Sequence, residues 1–140
     1  MLAGRTSLIA AMAVLVTVAT GCSNTNSPVE GTSSGTATAT VQNGVQVVTL
    51  TTGNDLRFHP STIVVHPGKV KVVLKNTAAS GPPHNLLVTG FPADFVPTVG
   101  AGRESSATFV APAPGSYGFV CTIHEAQGQK GTLVVEPGSP

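Results

Sequence analysis

From residue 45 onward, apolar side chains alternate with polar ones in short runs, each closed by Gly or Pro. Val70, Val72 and Leu74 alternate with Lys69, Lys71 and Lys75. Ile63 and Val65 alternate with Thr62, Val64 and His66 before Pro67-Gly68 turns the chain, and Leu56 and Phe58 alternate with Arg57 and His59 before Pro60. Successive side chains of a strand point to opposite faces, so a period of two reads as strand with one face buried. Further runs fall at residues 45–51, 84–88, 105–110, 116–121 and 131–135. No segment after the N-terminal region keeps a helical period for more than a turn or two. The eight runs predict an all-β domain, a sandwich or barrel of about eight strands over residues 45–136, with a short tail at 137–140. The 16 Gly and 11 Pro are scattered without a collagen period and serve as turn punctuation. A length of 140 residues suits one such domain, and the dissimilar runs exclude a repeat array.

The N-terminus is of another kind. Arg5 precedes a 12-residue apolar stretch at 8–19, too short to span a bilayer, which takes about 20 residues. A basic start, an apolar stretch and then small residues form an export signal. Ala19, Thr20 and Gly21 stand directly before Cys22, which resembles a bacterial lipoprotein signal: residues 1–21 are removed and Cys22 carries lipid. A plain secretory signal with an incidental cysteine is the alternative. Residues 22–44 then read as the lipidated cysteine and a flexible linker, since 15 of the 22 residues from Ser23 to Gly44 are Ser, Thr, Asn or Gly.

Formal charge is +1, from seven basic and six acidic residues, and loss of Arg5 would make it zero. Such a balance excludes the basic footprint of a nucleic-acid binder and the polybasic patch of a membrane-surface protein. Lys69, Lys71 and Lys75 read as a solvated strand face.

Four histidines and the Cys121 thiol are the soft or borderline donors of the chain outside the leader. Cys121-Thr122-Ile123-His124 lies where one predicted strand ends and the last begins, and a Cys and a His three apart in a turn can face one ion. Tyr117, Phe119 and Cys121 share parity, so a core-facing aromatic pair turns the sulfur inward too. His84, in Pro82-Pro83-His84-Asn85, opens another strand 37 residues earlier and shares parity with Leu86 and Val88. One thiolate with two imidazoles and a weak axial donor is the donor set of blue-copper sites; zinc accepts the same residues. His59 and His66 fall on outward parity and read as surface residues. Cys121 and His124 make a poor nucleophile–base pair, with no orienting acid or oxyanion hole in view.

With these residues in place, residues 45–136 resemble a cupredoxin of the plastocyanin–amicyanin kind. The resemblance rests on DLRFHPSTIVVHPGKVKVVLKN, PPHNLLV, APGSYGFVCTIH and GQKGTLVVE. It implies a Greek-key β-sandwich, one copper per chain, and His84, Cys121 and His124 as equatorial ligands. Asn85 matches the asparagine that ties the two ligand loops together. The axial residue of the family stands two before the glycine opening the last strand; with Gly131 as that glycine, the position falls on Gln129, as in stellacyanin-like members, and Gln127 is the other candidate.

The resemblance implies a monomeric carrier of single electrons, not an enzyme, and the lipoprotein-like signal implies that it is exported and lipid-anchored to the outer face of the bacterial cytoplasmic membrane. A redox protein partner would dock near His124, on an apolar rim drawn from Gly81, Pro82, Pro83, Phe91, Pro92 and Ala126. A copper-binding module for buffering or delivery is the alternative, and a structural sandwich with a vestigial site is a third.

Overall fold

A computed structural model of the chain describes residues 34–140. The expected signal, Cys22 and most of the expected linker lie outside the described residues. Ten strands form two sheets. In one sheet β1 (Thr36–Thr38), β4 (Thr62–Val65), β10 (Lys130–Val135), β9 (Gly115–Val120), β6 (His84–Val88) and β7 (Phe95–Val99) lie side by side in that order. In the other the order is β2 (Thr40–Gln42), β3 (Val45–Thr52), β5 (Lys69–Asn76) and β8 (Glu104–Val110). The all-β sandwich expected from the alternating runs is the fold observed.

The alternation becomes the core directly. On β5, Val70, Val72 and Leu74 are fully buried, whereas Lys69, Lys71 and Lys75 stay in solvent and Lys75 pairs with Glu104 across to β8. Leu50, Ile63, Val65, Leu86, Phe119 and Leu133 fill the space between the sheets, each contributing about 1.5–3 kcal/mol by leaving water. Phe58 and Phe119 meet edge to face at 5.3 Å in its middle.

Three elements differ from the sequence-based expectation. The linker expected to run to residue 44 ends sooner, because residues 36–42 form β1 and β2. β1 runs parallel to β4 and β2 antiparallel to β3, so the chain crosses from one sheet to the other near Ala39. Backbone pairing holds this stretch in place of side-chain burial, which is why its composition looked like a linker. The overlooked signal is Asn43-Gly44, both at positive φ (52° and 76°), the two-residue turn that suits a tight hairpin. Residues 56–58, expected as a strand, form a loop. Leu56 sits at φ 54° after a turn closed by its N–H to the Gly53 carbonyl, and only His59 bridges back to Thr51. β7 was not expected because Pro97 interrupts it. Proline is tolerated there because β7 is the edge of its sheet.

Gly131, opposite Phe119 on β9, is fixed by crowding. A Cβ there would lie 2.3 Å from the Phe119 ring and 2.4 Å from the Ser61 carbonyl oxygen, which itself accepts the Thr132 N–H. A glycine-to-alanine change elsewhere commonly stabilises by about 0.4–1 kcal/mol. Here Gly131→Ala is expected to destabilise by about 1–3 kcal/mol, the usual range for overpacking. Urea unfolding checks this, and a stabilised variant would show that the crowding is not real.

Candidate metal centre

β9 and β10 pair antiparallel with Val120 opposite Lys130, so residues 121–129 are the loop between them. Cys121 N–H donates to the Gln129 carbonyl at 3.0 Å and closes the loop at its base. Inside it, His124 N–H reaches the Cys121 carbonyl at 3.1 Å, a single 3₁₀ turn covers Glu125–Gln127, and Gly128 at φ 82° reverses the chain. Gln129 N–H then returns to the His124 carbonyl at 3.2 Å. A loop bonded to itself this way has little freedom and holds Cys121, His124 and Gln129 around one point.

His84 enters from the adjacent strand. Along the β6–β7 pair, His84 to Leu86 faces Val99 to Val96, so the extra residue of this bulge lies on β7. His84, Asn85 and Leu86 are all buried. Asn85 reaches across to the other loop. Its Oδ1 accepts the Thr122 N–H at 2.8 Å, its Nδ2 donates to Thr122 Oγ1 at 2.8 Å, and its own N–H points at Cys121 Sγ at 3.5 Å. Asn76 Nδ2 donates to the Pro82 carbonyl at 3.0 Å and steadies the segment leading into His84.

One donor atom each from His84, Cys121 and His124 lies within 4.8 Å of the others, and this is the cluster of three such residues among the described residues. Cys121 Sγ is 3.6 Å from His124 Nδ1, and the two imidazole centroids are 4.9 Å apart. Cys121 and His84 are fully buried, whereas His124 is half-buried. Burial, and secondarily the nearby His124, hold the His84 pKa below its ordinary value against the opposing pull of Gln129, Asp55 and the Gly53 backbone. The neutral imidazole, the form that ligates metals, is therefore favoured.

Gln129 is fully buried, with Oε1 2.9 Å from His84 Nδ1 and Nε2 donating to Thr52 Oγ1 at 2.7 Å. Gln127 is exposed, and its backbone carbonyl accepts from Arg57 Nη1 at 2.9 Å. His59 pairs with Asp55, and neither it nor the partly exposed His66, whose Nδ1 is shielded, joins the cluster. The rim requires a correction. Phe91 and Pro92 lie in the turn at the far end of β6 from His84, where Phe91 packs on Tyr117 at 5.3 Å. Ile123, 44% exposed between Cys121 and His124, is the apolar rim residue the sequence reading passed over. Thr52 and Arg57 were also missed. A Thr ending a β-branched run and an Arg on outward parity carry no local signal of a loop contact.

One thiol and two imidazoles, gathered in a mostly buried site, fit one copper ion per chain. A two-sheet β-sandwich with such a set defines a metal-binding β domain. The chain belongs to the cupredoxin-like domain family, whose sequence model matches residues 8–135. It is 35% identical over 92 residues to auracyanin-B of Chloroflexus aurantiacus, covering 60% of this chain and 38% of the relative. It is also 35% identical over 96 residues to the chloroplastic plastocyanin minor isoform of Arabidopsis thaliana, covering 58% and 52%. The chain thus spans about half or less of these two relatives. Against plastocyanin of Scenedesmus fuscus it is 32% identical over 106 residues, covering 64% of this chain and 99% of the relative. Among solved structures, auracyanin A of Chloroflexus aurantiacus, a "blue" copper protein, superposes with a TM-score of 0.58 at 26% identity, over 66% of this chain and all of that one.

Asn85→Leu removes the side chain that joins the two loops and leaves Thr122 without its partners. In metal-free protein this is expected to cost about 1–3 kcal/mol, measured by denaturant unfolding. A loss below about 0.5 kcal/mol would mean that the loops hold their places without it.

Proposed function

We propose that the protein is an electron carrier using a single copper ion held by His84, Cys121 and His124, with the Gln129 amide oxygen as a weaker axial donor. The observation that carries this reading is the convergence within 4.8 Å of two donor atoms from a loop closed by its own hydrogen bonds and one from the neighbouring strand. Copper bound there would supply a one-electron Cu(I)/Cu(II) couple. The chain's own part is to keep the donors fixed. Cys121 and His84 are shielded from water, and Asn85 holds the cysteine loop to the His84 strand. The auracyanin and plastocyanin relatives support the same reading, and none of these features calls for a substrate pocket or an enzymatic step. Burial of Cys121 and the interlocked loops favour retention of the metal over delivery to a partner.

His124 is the more exposed imidazole and is proposed as the electron's exit, with Ile123, Pro83 and Ala126 offering an apolar docking face beside it. A near-neutral chain gives little long-range steering, so the redox partner is recognised by short-range fit. The working form is a monomer.

Cu(II)-loaded wild-type protein is expected to show an intense visible thiolate charge-transfer band that Cys121→Ser abolishes. An amide oxygen is harder than a thioether and favours Cu(II), so Gln129→Met should raise the reduction potential and keep the band. Gln127→Met should change neither. A colourless wild-type complex would refute the copper-carrier reading, and a potential that moves with Gln127 and not with Gln129 would transfer the axial role.

The N-terminus adds location. Cleavage before Cys22 and its lipidation would hold the exported domain at the outer face of the cytoplasmic membrane. Because β1 begins at Thr36, 13 residues separate Cys22 from the domain. The wild-type protein should therefore partition with membranes and Cys22→Ser should not be anchored there. A mature wild-type protein that stays in solution without detergent and carries no lipid mass would overturn this.

A further inference from the structure

The hydroxyl of Thr52 has no part in the donor set, yet it is 1% exposed and lies 2.7 Å from Gln129 Nε2. We propose that Thr52 is a positioning residue that fixes which end of the Gln129 amide faces the metal; the proposal rests on the reading of Gln129 as the axial donor. A primary amide has an oxygen that can ligate and an NH₂ that cannot, because its nitrogen lone pair is delocalised and it carries two donors. The two ends are similar in shape, so packing alone selects weakly between them. The selection must come from partners. Oε1 lies 2.9 Å from His84 Nδ1, on the side of the three-donor cluster. In that orientation the NH₂ is buried and needs an acceptor, and the Thr52 hydroxyl is the one it has. Without that acceptor, the orientation that points oxygen at the cluster leaves a buried donor unpaired, which is costly.

Thr52 is itself held firmly. It is the last residue of β3, in parallel register with Asn76 of β5. Its carbonyl accepts both the N–H and the hydroxyl of Thr77, at 2.9 and 3.1 Å. A β-branched side chain on such a backbone has few χ1 choices. The acceptor therefore stands on a rigid strand of one sheet, and the amide it orients stands in the metal loop at the end of the other.

The test is the reduction potential, with the electron paramagnetic resonance spectrum of the Cu(II) protein, across Thr52→Val, Thr52→Ala, Thr52→Ser and the same changes in a Gln129→Met background. Thr52→Val and Thr52→Ala remove the acceptor and should shift the potential upward, in the direction of Gln129→Met, with altered copper hyperfine splitting. Thr52→Ser keeps the hydroxyl and should restore wild-type values. In the Gln129→Met background there is no amide to orient, so none of the three should move the potential. Equal shifts in both backgrounds would assign Thr52 a packing role and overturn the proposal. So would an unshifted potential for Thr52→Val or Thr52→Ala when Gln129→Met shifts it. If Gln129→Met itself causes no shift, the axial reading fails, and this proposal fails with it for that separate reason. Valine and alanine perturb packing in opposite senses, so should one not fold, the other still decides.

Discussion

Val120 lies opposite Lys130, and Cys121 donates to the Gln129 carbonyl; between these two contacts the nine residues of the metal loop have no register to slip into. A one-residue shift of β9 against β10 would turn Cys121 out of the interior, since side chains alternate faces. What prevents it lies deeper in the sandwich. Phe119 packs edge to face on Phe58, and Gly131 passes so close to Phe119 and to the Ser61 carbonyl that only this register leaves room. The hydrophobic core therefore sets the position of the sulfur, and the pairing of β6 with β9 brings the His84 imidazole to it from the neighbouring strand.

The remaining order comes from polar contacts between segments far apart in sequence. Asn85 joins the β6 strand to the cysteine loop, Asn76 joins the end of β5 to the segment before His84, and Arg57 joins the 53–59 loop to the Gln127 carbonyl. Each spans two loops that hydrophobic packing alone would leave loosely related. A donor set supported in this way is held in place by the protein's own bonds. For a site whose charge would change by one unit in use, a fixed frame is an advantage, because little rearrangement of the protein would accompany the change.

Much of this was legible in the sequence, and the reason is local. The β5 alternation of Val70, Val72 and Leu74 with lysines defines a strand with one buried face, and the shared parity of Phe119 and Cys121 defines which way the sulfur points. Cys121, His124 and Gln129 could be placed together because one loop carries all three. What escaped was non-local or set by backbone pairing. β1 and β2 hold by pairing with β4 and β3, and their Ser/Thr-rich composition hides that. β7 survives Pro97 only because it is an edge, a fact of strand order that no single run displays. Phe91 follows His84 by seven positions, yet the strand between them carries it to the opposite end of the sandwich. Thr52 and Gln129 are 77 residues apart and meet only through the packing of two sheets.

The cost of this arrangement is concentrated in a few buried polar groups at one end of the fold. His84, Gln129, Thr52 and Asn76 are each nearly inaccessible to water. Each has a partner for its side chain, His84 through Nδ1 with Gln129 Oε1. Burying an imidazole opposes folding, and desolvation disfavours its charged form still more. The same desolvation, with a second imidazole centred 4.9 Å away, keeps His84 neutral and its lone pair free of a proton. Stability given up at that ring is thus the physical origin of a neutral imidazole in the three-residue cluster. The apolar core around Phe58, Phe119 and Leu133 supplies the margin that lets the fold carry it.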